Sequence, residues 1–148
     1  MQRKIVPDIV KDQVIALVAP TVTVRDAAEI MAERHIGALL VGDGDKMVGI
    51  FTERDVLTRV VARNLDPDTT ALEAVMTKNP DTVRPDEMAL NALARMRAKG
   101  YRHLPVVEDD KLVGIVSIRD LYSAVTTELE SDIKEREAFI FDTGYGSG

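Results

Sequence analysis

There is no cysteine and no tryptophan among the 148 residues, and aromatic residues make up only 4%. Without cysteine there are no disulfides, no thiolate metal sites and no cysteine nucleophile, a composition that suits a reducing compartment. Without aromatic bulk, the core has to be built from Val, Ile, Leu, Met and Ala. No block of Lys and Arg exceeds the pair Arg3-Lys4, and the formal net charge is −6. A partner bound through its phosphate backbone needs a basic face, so nucleic acid is not expected. Apolar runs such as Ile15-Ala16-Leu17-Val18-Ala19 are far too short to cross a bilayer. The opening Met1-Gln2-Arg3-Lys4-Ile5-Val6-Pro7-Asp8 has no apolar signal-peptide core. A cytoplasmic protein with no membrane partner is therefore expected.

Chemistry is equally sparse. His35 and His103 are the only histidines, and neither stands at ligand spacing from another donor. The acids Asp43, Asp45, Glu108, Asp109 and Asp110 show no calcium-loop spacing and read as solvated turns, so no metal site is assigned. There is no P-loop, no Gly-x-Gly-x-x-Gly after a strand and no nucleophile elbow. Nothing assembles a nucleophile, a base and an oxyanion site, so no catalytic residue is assigned and no enzyme is expected.

What the chain does contain is a repeat. Gly49-Ile50-Phe51-Thr52-Glu53-Arg54-Asp55 returns 65 residues later as Gly114-Ile115-Val116-Ser117-Ile118-Arg119-Asp120. Without a gap, Val18 falls on Val83, Ala27 on Ala92, Met31 on Met96, Leu39 on Leu104 and Val48 on Val113. A period this long is a whole supersecondary unit, present twice. Each copy reads as a short extended lead-in (Val14 to Val18; Thr82 and Val83), a helix, two strands and a second helix. The first helix carries Val24, Ala27, Ala28 and Met31 in one copy, and Ala89, Ala92, Leu93 and Met96 in the other, at the 3.6-residue period. Thr23 and Asp86 are the expected N-caps. The strands are Ala38 to Val41 and Met47 to Phe51, then His103 to Val107 and Leu112 to Val116. Gly42-Asp43-Gly44-Asp45 and Glu108-Asp109-Asp110 are the hairpin turns.

Loop residues Asn64 to Asp68 separate the copies, and a short helix is expected from Thr70 to Met76. The resulting boundaries are 1–66 for the first unit with its lead-in, 67–127 for the second, and 128–148 for a C-terminal extension. From Arg119 to about Phe139 there is neither Gly nor Pro, and Leu121, Val125, Leu129 and Ile133 are spaced by four. This is an amphipathic helix whose stripe either folds back on its own chain or packs on a second copy. The tail Asp142 to Gly148 reads as flexible.

Thr52-x-x-Asp55 and Ser117-x-x-Asp120 each follow a strand and open a helix. Two roles fit them. A hydroxyl followed three residues on by an acid is a capping-box pattern. The same groups, with Arg54 or Arg119 between them, also suit a ribose and a phosphate: a carboxylate accepts from a vicinal diol, and a guanidinium grips phosphate in a fork. Gly49 and Gly114, three residues upstream, would let a planar ligand approach the backbone. Cap and ligand site need not exclude each other.

The doubled unit, the strand Leu104-Pro105-Val106-Val107 and the two Gly-x-x-Thr/Ser-x-x-Asp endings resemble a tandem pair of cystathionine-beta-synthase (CBS) domains, a Bateman module, over roughly Pro7 to Thr126. The resemblance implies an α/β (α+β) fold of two β-α-β-β-α units related by a pseudo-twofold axis and packed sheet to sheet, plus the extended C-terminal helix. It implies two clefts that take adenosine nucleotides (AMP, ADP or ATP), or else NAD or S-adenosylmethionine, with Mg²⁺ able to accompany the phosphates. It also implies pairing into a homodimer. By the same resemblance, Asp55 and Asp120 hold ribose hydroxyls, and Thr52 and Ser117 bond ribose or phosphate. Arg54, Arg119, Arg102 and His103 contact phosphate. Thr82 and the backbone near Ala16 line the base pocket.

The first copy departs from the pattern, with Gly37 and Ala38 where Arg102 and His103 stand and Leu40 in place of Pro105. The phosphate sides of the two clefts are therefore unequal. The expected function is a regulatory adenosine-nucleotide sensor in signal transduction, acting through conformational or oligomeric change on a separate effector protein. The alternatives are a structural dimerisation module without ligand, or an NAD- or S-adenosylmethionine-binding sensor.

Overall fold

The structure is a computed structural model that describes residues 3–13, 15 and 17–142. The expectations placed on Val14, on Ala16 and on the tail beyond Asp142 lie outside the described residues. The described chain divides into two compact units. One holds residues 17–82 and 107–114; the other holds 3–13, 83–106 and 115–142.

In the first repeat, α1 (Val24–Arg34) is followed by the hairpin β1 (Ala38–Asp43) and β2 (Lys46–Thr52). The Thr23 hydroxyl caps α1 by accepting from the Asp26 N–H at 3.2 Å, as the sequence predicts. His35 ends the helix in the left-handed region (φ 54°), its N–H turned back to the Ala32 and Met31 carbonyls. β1 is apolar from Ala38 to Val41 and buried on both faces. It runs antiparallel to β2, with a bulge between Val41 and Gly42. Gly44 takes the positive φ that the tight turn needs.

After β2, α2 (Glu53–Asp55) widens into a π-helical stretch over Val56–Val61. Met31, Leu39, Val41, Phe51, Val60 and Leu72 form the aliphatic heart of the core around a single phenylalanine. The loop before α3 closes on α1: the Arg25 N–H donates to the Pro67 carbonyl at 2.9 Å, and Arg25 Nε meets Asp68 Oδ1 at 2.7 Å. That hydrogen bond holds the Asp68 carboxyl below its ordinary value and raises the Arg25 guanidinium. Both side chains are well exposed, so the pair adds little to stability.

The short helix expected over 70–76 is α3 (Leu72–Val75). β3 (Thr77–Lys78) follows it and was not foreseen. It pairs antiparallel with Gly49 and Ile50 of β2. A side chain built on Gly49 would lie 2.6 Å from Met76 Sδ and 2.8 Å from the Thr77 carbonyl oxygen. The missing side chain at Gly49 therefore admits β3, rather than the planar ligand expected there.

The second repeat is built alike, from α4 (Ala89–Lys99), β4 (His103–Glu108), β5 (Lys111–Ser117) and α5 (Ile118–Asp142). Asp109 and Asp110 both carry positive φ in its hairpin turn. Asp86 is not the cap. α4 begins after Met88, which makes no side-chain cap bond, and the Asp86 carboxylate turns to Arg84 at 3.2 Å. Residues 3–5 occupy this helix start instead. Lys4 bridges Met88, the Ala89 N–H donates to the Arg3 carbonyl at 2.8 Å, and Ile5 is fully buried.

The first repeat has the same arrangement at the equivalent residue. Thr23 bridges Ala71, and the Val24 N–H donates to the Thr70 carbonyl. Each lead-in thus closes the repeat that it does not precede. Among the described residues, the lead-ins make one isolated parallel bridge each, Val18 to Val41 and Val83 to Val106.

The edge of β5 is met by a side chain. Gln13 stands 65 residues before Lys78 of β3. Its amide accepts from the Ile115 N–H at 2.8 Å and donates to the Ile115 carbonyl at 3.2 Å. The C-terminal helix starts at Ile118, directly after Ser117, where the motif was expected to open it. Leu121 is fully buried, but Leu129 and Ile133 are 57% and 55% exposed, so the far end of the stripe is not covered by the described chain. The α/β expectation holds, as two small sheets, β1-β2-β3 and β4-β5, with their helices and a long terminal helix.

Candidate functional site

Both Thr/Ser-x-x-Asp motifs sit where a strand hands over to a helix, and both form complete capping boxes. In the first, the Thr52 hydroxyl accepts from the Asp55 N–H at 3.2 Å, and Asp55 Oδ2 accepts from the Thr52 N–H at 3.0 Å. In the second, the Ser117 hydroxyl accepts from the Asp120 N–H at 3.1 Å, and Asp120 Oδ2 accepts from the Ser117 N–H at 3.3 Å. Reciprocal bonds of this kind satisfy the orphan amides at a helix start. Each engages one carboxylate oxygen and leaves the other for a second partner.

That second oxygen has different surroundings in the two repeats. Asp55 is buried, and its Oδ1 lies 3.4 Å from Arg59 Nε, one helical turn along. Arg59 Nη1 also donates to the Val75 carbonyl at 3.0 Å, tying the end of α3 to the same group. Asp120 is exposed. The residue equivalent to Arg59 is Ala124, which has no charge to offer. The sequence reading missed Arg59. The signal was present in the i, i+4 spacing of Asp55 and Arg59, and in its loss at Ala124.

The flanks follow the repeat. The Ile118 N–H donates to the Arg102 carbonyl at 2.8 Å, which fixes the Arg102-His103 step beside the start of α5. Ser117, Arg119, Asp120, Arg102 and His103 are thereby brought to one end of one unit. In the first repeat the same bond runs from the Glu53 N–H to the Gly37 carbonyl at 2.9 Å. There it sets Thr52, Arg54 and Asp55 beside Gly37 and Ala38, which carry no cation. Thr82 is half-buried just ahead of Val83, whose N–H donates to the Pro105 carbonyl at 2.9 Å.

An open hollow of about 550 Å³ runs along α5, lined by Ile118, Arg119, Tyr122, Ser123, Thr126 and Glu130 among others. It shares Arg119 with the predicted residues. Among the described residues no cluster of three or more His, Cys, Asp or Glu could hold a metal ion, and no helix is long and apolar enough to cross a membrane.

Comparison with known proteins places this geometry in a family. The family model of the CBS domain matches twice, at residues 6–62 and 71–127. A CBS domain-containing protein of Arabidopsis thaliana is 43% identical over 106 residues, covering 70% of this chain and 19% of its own length. The chain spans about a fifth of the length of the Arabidopsis relatives of this group. A 17.7 kDa protein of Acidianus ambivalens is 41% identical over 113 residues, covering 75% of this chain and 67% of its own.

Among solved structures, a candidate signal-transduction protein with CBS domains from Burkholderia ambifaria superposes with a TM-score of 0.77 at 39% identity. It covers 81% of this chain and 92% of its own. A CBS domain protein from Pyrobaculum aerophilum, solved in complex with AMP, matches with a TM-score of 0.64 at 30% identity, over 73% and 85% of the two chains. The chain belongs to the CBS-domain family and carries the domain as a tandem pair.

Proposed function

We propose that the chain is a regulatory module that binds an adenosine nucleotide and passes its occupancy on as a change in conformation or assembly. The observation that carries this reading is the exposed Asp120 at the head of α5, with Arg119 beside it in sequence and the Arg102-His103 step held to the helix start by the bond from the Ile118 N–H to the Arg102 carbonyl. One carboxylate oxygen caps the helix, and the other would accept from a ribose diol. The basic side chains suit the phosphates. The AMP complex of the Pyrobaculum protein supports this class of ligand. AMP, ADP and ATP share base and ribose, so discrimination rests on charge and length at the basic end, and Mg²⁺ would accompany the longer phosphates. A ligand shifts such a module only by binding its arrangements with different affinity.

The exposed Leu129 and Ile133 on α5 favour a second element of the reading, pairing of two chains along that stripe.

Thermal unfolding in the presence of AMP, ADP, ATP, NAD and S-adenosylmethionine tests the proposal. A ligand at about 100 times its dissociation constant is expected to stabilise the fold by roughly 2.7 kcal/mol. The nucleotides should raise the melting temperature in this way. A stronger rise with NAD or S-adenosylmethionine assigns the pocket to that ligand. An unchanged melting temperature across all five leaves a structural dimerisation module.

A further inference from the structure

We infer that nucleotide binding falls to the second repeat alone, because Arg59 holds Asp55 as a structural acid in the first. The inference rests on the nucleotide-binding reading above and sets how many molecules each chain takes. Both repeats keep the hydroxyl, the acid and the intervening arginine, so the motif by itself allows two sites. The described contacts separate them.

The Asp55 oxygen that a diol would use, Oδ1, already faces Arg59 at 3.4 Å, so a diol would have to compete with that guanidinium. Arg59 is itself anchored on the Val75 carbonyl at 3.0 Å, at the end of the helix that covers this part of the core. The Asp55 side chain is only 11% exposed, which leaves an incoming diol little access to it. Asp120 has no such obligation, since Ala124 occupies the place of Arg59.

The flanks point the same way. The backbone bond that sets Arg102 and His103 beside the second motif sets Gly37 and Ala38 beside the first. Arg54 is then the motif's own cation in the first repeat, with Arg59 committed to Asp55. Asp55 and Arg59 therefore brace the core, and Asp120 recognises the ligand.

Native mass spectrometry and titration calorimetry of the full chain with AMP decide this. At saturation one AMP per chain is expected, and Asp120→Asn should weaken that single site about 30-fold with no second site appearing. The wild-type stoichiometry stands whether or not the variant folds. Two AMP molecules per wild-type chain, or one site surviving in Asp120→Asn with wild-type affinity, overturn the inference while leaving the module a nucleotide binder. Failure of both AMP and ATP to bind the wild-type chain at millimolar concentration overturns the inference and the reading beneath it together.

Discussion

Asp120→Asn is expected to weaken AMP binding about 30-fold while moving the melting temperature by less than about 2 °C. The substitution separates the cap from the proposed ligand role of this side chain. Asparagine keeps a carbonyl oxygen that can accept from the Ser117 N–H, as Asp120 Oδ2 does at 3.3 Å. The return bond, from the residue 120 N–H to the Ser117 hydroxyl at 3.1 Å, involves the backbone and is untouched. The cap therefore survives. What is lost is the charge and the second acceptor. Hydrogen bonds to a charged group are worth about 1.5–3 kcal/mol each, and loss of about 2 kcal/mol gives the 30-fold figure. Titration calorimetry of the two proteins reads the affinity, and a thermal melt reads the fold. A variant that binds AMP as the wild type does would show the carboxylate to be a cap and nothing more.

Asp55→Ala should act in the opposite sense, on stability. Here the carboxylate is buried, closes a capping box and faces Arg59. Losing an N-terminal cap costs about 1 kcal/mol. Leaving Arg59, itself 35% exposed, without its acid adds about 1–2 kcal/mol, reduced by the water that still reaches the guanidinium. The total of about 2–3 kcal/mol corresponds to a fall of roughly 5–10 °C in melting temperature for a chain of this size. Urea unfolding should show the lower midpoint with an unchanged slope. The same substitution at Asp120 removes a cap from an exposed position and should cost only about 1 kcal/mol. Equal losses at the two positions would contradict the difference drawn between the repeats.

Much of this arrangement was legible in the residues, for reasons that also explain where legibility ended. The helices α1 and α4, both hairpins and α5 follow from apolar periodicity, and periodicity reports burial directly. Thr23 could be read as a cap because its own hydroxyl accepts from the Asp26 N–H, a local bond that stands beside the outside closure by Thr70 and Ala71. Asp86 was misread because the start of α4 is closed by residues 3–5, more than 80 positions away, and local sequence carries no trace of such a partner. β3 is two residues long and has no period to detect. Gly49 gave the clearest ambiguity. A missing side chain signals close approach, but the same glycine serves a ligand or a neighbouring strand, and here Thr77 and Met76 occupy the space. The two motifs were found as equivalent, which their residues are. Their inequality lies in a side chain one turn downstream, Arg59 against Ala124, and becomes visible once the ion pair of Asp55 with Arg59 is placed.

A structure of the chain crystallised with AMP tests the central claim most directly. The account predicts a ribose diol within hydrogen-bonding distance of the free Asp120 oxygen, the phosphate towards Arg102, His103 or Arg119, and Asp55 still paired with Arg59. Nucleotide bound away from Asp120, or seated on an Asp55 that has released Arg59, would contradict it.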